Sequence, residues 1–449
     1  LISRGFDGYV LASEWEAGTG RYRLVLTNHT GTALTGFRLG FSGPARVSDG
    51  ARIEGGQRVS QLSNYCEIVP EAGFVLAAGA SWTIDISGLD YPIRHWTDGA
   101  TAGFVIGEDG LAVAAVTVPT RLAGSAAKHR RGTMRLGGEE PAPVQISVVP
   151  WPKTVAVSGR SSVPQGFALC AEDEAAESVA DDFAALCQFL FPGEGLVRDA
   201  DEDGFVVDCD IDGNLGAEAY AITFSPTGAS VAGGSSRGLL YGLVTLGQMQ
   251  RGARLRPLEF GFPTTGHIED APELGWRGCH LDVARRFYGS EEIKQFLAVL
   301  AWNKLNVFHW HLSDDEAWRV EIDAFPELTE SGAWRGHGLP TPPLLGSGPE
   351  PSGGFYSKEA IGDIVALGEA FGVEIVPEID MPGHCHALLQ ALPELRDAGE
   401  NALYHSIQSF PNNCLNPAVE AVYEVVETIL GEMVELFPSR YFHIGADEV

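Results

Sequence analysis

The chain has 449 residues, 45% of them hydrophobic, with 55 Gly, 26 Pro and a formal net charge of −30. That length calls for two to four domains rather than one core, and the composition is that of a turn-rich globular protein, not a disordered one. The acidity argues against nucleic acid and anionic membrane surfaces as partners, since a phosphate-backbone binder needs a basic patch to release counterions; by itself it reads as solubility.

The seven cysteines (Cys66, Cys170, Cys187, Cys209, Cys279, Cys385 and Cys414) are scattered and form no C-x-x-C, so neither a zinc knuckle nor a disulfide framework is indicated. No apolar run reaches membrane-spanning length, and no membrane insertion is expected. The chain opens at Leu1 without a charged n-region or an apolar h-region, so no signal peptide is expected in it. Leu is not a normal initiator, and a missing N-terminal segment is expected. Localisation stays open between the cytoplasm and an extracytoplasmic compartment.

Residues 1–138 predict an all-β sandwich. Arg21 to Thr27 is strand-like and closes in a turn at Asn28-His29-Thr30-Gly31, while Phe37 to Phe41 and Trp82 to Ile86 alternate with period two between Gly-rich turns. Trp15, Tyr65 and Trp96 are candidate carbohydrate-binding aromatics, although such rings more often lie in a core. Lys128-His129-Arg130-Arg131 reads as a solvated linker.

Residues 139–271 change character, opening on Glu139-Glu140-Pro141-Ala142-Pro143. A helix is predicted around Ser178 to Leu190, a hairpin over Ala219 to Ala232 and a second helix over Gly238 to Gln248. This is the pattern of a small α+β domain.

From 272 to 449 strands and helices alternate. Strands are predicted at Gly278 to Val283, from Leu305, at Glu374 to Asp380 and at Tyr441 to Gly445. The helices between them carry Ile293, Phe296, Leu297 and Leu300, then Ile361, Ile364, Val365 and Phe371 behind a Ser357 cap. A third is expected to start at Asn416-Pro417, an N-cap followed by proline. Four β/α units imply a parallel sheet.

Every one of these strands ends in ionisable groups. Asp282 and Arg285 follow the first, His309, His311, Asp314 and Asp315 the second, Glu378, Asp380 and His384 the third, and Asp447 and Glu448 the fourth. Polar residues beyond the C-terminal ends of parallel strands mark the active face of a (β/α)₈ barrel. Adjacent Asp447 and Glu448 cannot point the same way along a pleat and so have different tasks. A Glu held partly protonated by a neighbouring carboxylate can protonate a leaving oxygen and then activate water, which is glycoside hydrolysis.

Several motifs sharpen this reading. They are Arg277-Gly278 with Leu281-Asp282-Val283-Ala284-Arg285; Lys304-Leu305-Asn306; His309-Trp310-His311-Leu312-Ser313-Asp314-Asp315; Pro377-Glu378-Ile379-Asp380-Met381-Pro382-Gly383-His384; and His443-Ile444-Gly445-Ala446-Asp447-Glu448-Val449. Taken in this order, the chain resembles family 20 glycoside hydrolases, the β-N-acetylhexosaminidases, over roughly residues 140–449. The resemblance implies a retaining enzyme that removes terminal GlcNAc or GalNAc with no metal or organic cofactor. It implies that Glu448 is the general acid/base, and that Asp447 orients the substrate's 2-acetamido group. The carbonyl oxygen of that group attacks the anomeric carbon to give an oxazolinium. By the same resemblance Arg285 binds the sugar's 3- and 4-hydroxyls, and Asp314, Asp380 and His384 support Glu448.

Two positions depart from the family pattern: Arg286 stands where His is common and Ala446 where Gly is frequent. A (β/α)₈ barrel needs about 250 residues, so only its first four units are expected here. A half barrel exposes an apolar sheet edge and lacks half its site, so the isolated chain is expected to be inactive and poorly soluble. Two other readings stay open. His309-x-His311 puts two imidazoles on one strand face, a spacing that suits zinc in a metal-dependent amidohydrolase and equally suits a packed, hydrogen-bonded pair. A degenerate barrel that binds glycans without cleaving them is the second. The sequence sets neither the sugar preference nor the oligomeric state.

Overall fold

Alternation of side chains decides the N-terminal region. Along Arg21–Asn28 every second residue is buried, and Ser81–Leu89 repeats the pattern over Trp82, Ile84 and Ile86. The computed structural model describes residues 6–123, 146–198, 204–400 and 403–449. Its first ten-stranded sheet is one continuous hydrogen-bonded surface. Tyr9–Glu16 pairs antiparallel with Arg21–Asn28 and parallel with Ala112–Thr117. The sheet folds over, so that Leu24, Leu26, Ile84 and Ile86 share a core with Leu39, Phe41, Cys66 and Ile68. The two expected layers are thus limbs of one sheet. Of the candidate sugar-binding rings, Trp15 and Tyr65 are buried and only Trp96 is exposed. The basic stretch Lys128-His129-Arg130-Arg131 and the turn-rich Glu139-Glu140-Pro141-Ala142-Pro143 lie outside the described residues.

The middle region is a six-stranded mixed sheet, in spatial order Thr154–Ser158, Thr265–Asp270, Tyr220–Ser225, Gly228–Gly233, Phe205–Ile211 and Phe167–Ala171. The predicted hairpin is present as the antiparallel pair Tyr220–Ser225 and Gly228–Gly233. Both helices are longer than their apolar runs. Glu174–Leu190 begins where Asp173 accepts from the backbone N–H groups of Ala175 and Ala176, and Ser236–Leu255 is buried without interruption from Gly238 to Gln250.

In the last region Gly278–Asp282, Val307–His311 and Glu374–Glu378 form a parallel sheet in that order. Helices Ser290–Trp302, Lys358–Ala370 and Glu420–Leu436 accompany it. Phe308 and Trp310 point to the helix side, fully buried, while Val307, His309 and His311 take the opposite face, as period two requires.

Two expectations need correction. The helix expected at Asn416-Pro417 starts at Glu420. Asn416 instead caps a turn, its Oδ1 accepting from the Ala418 N–H at 2.9 Å and its carbonyl from Val419. The expected strand Tyr441 to Gly445 is a single parallel bridge between Glu378 and His443, carried by His443 N–H to Pro377 O (3.0 Å) and Ile379 N–H to His443 O (3.2 Å). Positive φ at Gly445 and Ala446 turns the chain away before a ladder can extend.

One core runs through the middle region and the parallel sheet together, from Ile146 to Phe437. The boundary expected near residue 271 separates two sheets but not two cores. Among the described residues no helix is long and apolar enough to cross a membrane.

Candidate active site

The register of the parallel strands builds the site. Asp282, His311 and Glu378 are direct cross-strand partners, and the Glu378–His443 bridge continues the row. Three strand ends and the His443 bridge therefore deliver their polar residues at one level.

Glu378 is the hub of this row, 5% exposed. Its Oε2 lies 2.7 Å from His309 Nε2 and 2.7 Å from His311 Nδ1, and its Oε1 lies 2.9 Å from His443 Nδ1. Burial opposes ionisation, but the hydrogen bonds from His309 and His311 hold its carboxyl well below the usual range. The other nitrogen of His311 is 2.7 Å from Asp314 Oδ2. Burial disfavours charge on that imidazole, yet the hydrogen bonds to Asp314 and Glu378 prevail and push its pKa up to about 10. His311 is therefore an imidazolium pinned at both ends.

Asp314, 2% exposed, collects three cations: His311, His384 (Nδ1 to Oδ1, 3.1 Å) and Arg285. Those contacts outweigh its burial and hold it well below the usual carboxylate range. Arg285 also reaches Glu316 Oε2 at 2.9 Å and Asp282 Oδ2 at 3.2 Å. Asp282 Oδ1 accepts from the backbone N–H groups of Ala284 and Arg285, which ends the strand in a turn and aims the guanidinium. Beneath this turn Arg319, 1% exposed, donates to the carbonyls of Val283, Ala284, Ala333 and Gly354 at 2.7–2.9 Å. Burial pushes its pKa down to about 9.

His384 connects this network to the chain's last carboxylates. Its Nδ1 faces Asp314 (3.1 Å) and Asp315 (3.4 Å), while its Nε2 lies 3.5 Å from Glu448 Oε2 and 3.7 Å from Asp447 Oδ2. Hydrogen bonds to Asp314 and Asp315 raise its pKa to about 11. Asp380, 3% exposed, is pushed up to about 7 by burial and by the charge of Asp447. The Gly445-Ala446 turn wraps around it: Ala446 N–H donates to Asp380 Oδ1 at 3.3 Å. A Cβ on Gly445 would lie 1.7 Å from that oxygen, and one on Gly383 would lie 2.6 Å from the Asp447 carbonyl. Both glycines are required by close approach.

All six residues singled out in the sequence, Arg285, Asp314, Asp380, His384, Asp447 and Glu448, thus fall into one connected cluster. Several partners were not singled out. Glu316, 3% exposed, is pushed up to about 7 by burial, against the lowering effect of Arg285. Asn413, 1% exposed, donates to both oxygens of Asp315 (3.1 and 2.9 Å). Arg319 sits in an apolar run, Trp318-Arg319-Val320, and a lone cation there was the available signal. Asn413 carries no such signal.

Candidate metal-ligand atoms gather within 4.8 Å at His280, His309 and Glu378, and at Asp380, His384 and Asp447. The His309-x-His311 pair is not a two-imidazole clamp, however. Both rings converge on Glu378, and His311 has a carboxylate on each nitrogen. His311, Glu378 and Asp380 also offer ligand atoms within that distance, and a metal there would replace the His311–Glu378 hydrogen bond.

A parallel β/α sheet whose strand ends gather carboxylates, an arginine and two buried histidines has the groups that acid–base chemistry uses. Comparison with known proteins makes this specific: the chain belongs to glycosyl hydrolase family 20. The model of that family's catalytic domain matches residues 274–449, and the model of its domain 2 matches residues 145–271. The chain is 31% identical over 402 residues to a beta-hexosaminidase of Vibrio furnissii, covering 87% of this chain and 63% of that protein. The crystal structure of a GH20 exo beta-N-acetylglucosaminidase from Vibrio harveyi in complex with N-acetylglucosamine superposes with a TM-score of 0.80 at 30% identity. That match covers 99% of this chain and 68% of the other. An N-acetyl-beta-hexosaminidase from Streptomyces plicatus matches over 68% of this chain and 61% of its own, at 31% identity and a TM-score of 0.55. The chain thus spans about two thirds of the length of these relatives.

Proposed function

We propose that the protein to which this chain belongs is a retaining β-N-acetylhexosaminidase that removes terminal non-reducing GlcNAc or GalNAc by substrate-assisted catalysis. In this reading the three regions are an accessory β domain, an α+β domain and the first four units of a (β/α)₈ barrel. Glu448 protonates the leaving oxygen and later takes a proton from water. Asp447 orients the acetamido group and stabilises positive charge on its nitrogen while its carbonyl oxygen attacks the anomeric carbon. Arg285, held by Asp282, Asp314 and Glu316, presents donors to the sugar hydroxyls.

The observation that carries the reading is the position of His384. A buried imidazole braced on one side by Asp314 and Asp315 lies 3.5 Å on the other from Glu448. That placement sets the acid/base against a fixed charge array and holds it in position. Asp380, half protonated near neutral pH beside Asp447, lets two carboxyls share one side of the site.

The test uses the full polypeptide and aryl N-acetyl-β-hexosaminides. Glu448→Gln is expected to lower turnover at least about a hundredfold while sugar affinity survives. Stepwise fluorination of the acetamido methyl weakens the carbonyl nucleophile, so the rate should fall with each fluorine. A flat response would sink the substrate-assisted mechanism, and binding without turnover in the wild type would leave a glycan-binding protein.

A further inference from the structure

Tyr65, Phe104 and Ile106 of the N-terminal sheet form a small core separate from that domain's main one. It is closed by Leu344 and Phe410, which come from two loops of the catalytic domain, and none of the five is more than 2% exposed. Polar contacts fix both loops to the sheet. The Leu345 N–H donates to Asn64 Oδ1 and the Gly346 N–H to Ser42 Oγ, both at 3.0 Å. Arg46 donates to the carbonyl of Ile407.

The loop over 403–415 reaches from this plug into the site. It is closed internally by Ser406 N–H to Phe410 O (2.9 Å) and Asn412 N–H to Tyr404 O (3.1 Å). The Phe410 ring packs 5.0 Å from His386, whose N–H donates to Asp315 Oδ1 at 3.0 Å. Three residues further on, the Asn413 amide holds both oxygens of Asp315, and the Asn413 carbonyl accepts from the Cys385 N–H at 2.8 Å. Asp315 is fully buried and lies 3.4 Å from His384. A contiguous packed and hydrogen-bonded path therefore runs from Phe104 through Phe410 and Asn413 to Asp315, His384 and Glu448.

We propose that Asn413 is a positioning residue for the acid/base site, and that the N-terminal domain clamps it in place through the Phe104–Phe410 plug. The proposal rests on the reading of Glu448 as the acid/base. Asn413 touches no reacting atom and acts only by fixing Asp315, which fixes the His384 ring. Removing the amide leaves a buried carboxylate short of donors, free to pull His384 away from Glu448. The N-terminal domain is in this sense part of the site's scaffold, and Tyr65 serves the plug rather than a sugar.

The test compares Asn413→Ala, Phe104→Ala, Phe104→Leu and the exposed-surface control Val113→Ala in the full polypeptide. Asn413→Ala should lower kcat about 10- to 100-fold with KM held within about twofold, since a misplaced network costs transition-state rather than ground-state binding. Phe104→Ala should follow it, about tenfold down, with Phe104→Leu restoring most of the loss and Val113→Ala neutral. Hydrogen exchange is read in parallel: Phe104→Ala should accelerate residues 384–386 and 403–415 at least about tenfold while Val307–His311 stays protected. Unchanged kcat in Asn413→Ala, or acceleration confined to the N-terminal sheet, overturns the proposal. If the wild type releases no N-acetylhexosamine, the functional reading fails, and exchange alone decides whether the clamp exists.

Discussion

At the scale of single residues the site depends on charges that are each over-determined by neighbours. His311 illustrates how this sets pH dependence. Its pKa is raised from 6.5 to about 10 in the folded protein. Its contribution to stability is therefore complete below about pH 6.5 and is lost as pH rises towards 10, because the unfolded chain releases the proton first. The urea midpoint of the wild type should fall between pH 7 and 10, and His311→Asn should flatten that fall. Replacement by Ala strips a hydrogen bond from two buried carboxylates at once and should cost on the order of 3 kcal/mol in denaturant unfolding. Ala446 shows the opposite case, a residue held against its preference. Its φ is +71°, left-handed backbone where the family frequently has glycine. Ala446→Gly should raise thermal stability slightly, by about 0.5–1 kcal/mol, and leave sugar binding intact.

At the scale of elements, the helix Ser236–Leu255 explains how two sheets share one core. It is buried all round because one side faces the mixed sheet and the other faces the helix Glu174–Leu190 and the Trp302 ring. Gln248 Nε2 donates to the Trp302 carbonyl at 2.6 Å. Small residues make both contacts possible. A Cβ on Gly242 would lie 2.5 Å from Val231 Cγ1, and one on Gly247 would lie 3.0 Å from the Trp302 ring. Gly242→Val should therefore overpack the helix against the sheet and destabilise by about 1–3 kcal/mol in urea titration. The same element shows what periodicity can and cannot reveal. Its apolar run, Gly238 to Gln248, announces a buried helix, but the run does not say which two surfaces bury it. The Tyr441 to Gly445 segment is the converse. Its residues favour a strand, but the turn around Asp380 reduces it to a bridge.

For the whole molecule, the continuous core from Ile146 to Phe437 joins the mixed sheet to the parallel sheet, and the two are expected to melt as one unit. The junction is reinforced by Glu218, whose two oxygens each accept from Arg277 at 3.0 Å. Differential scanning calorimetry should show one transition for these two regions and a separate one for the N-terminal domain, which has its own core. Glu218→Ala should lower the shared transition and leave the other in place.

The sequence by itself determined the alternation of β/α units, the family motifs and the six residues of the candidate site. The alternation follows from local periodicity, the strand ends supply the ionisable candidates, and the family resemblance carried by the motifs picks these six from among them; short windows of sequence contain all of this. The tertiary structure alone decided that the N-terminal sheet folds onto itself and plugs two catalytic-domain loops. It decided too that His309 and His311 converge on one glutamate, and that Asn413 and Arg319 brace the site. Each of these depends on groups far apart in the chain meeting at hydrogen-bond distance, such as Asn413 with Asp315 or Arg319 with Gly354. Side-chain identity records no such partner until the backbone brings the two together.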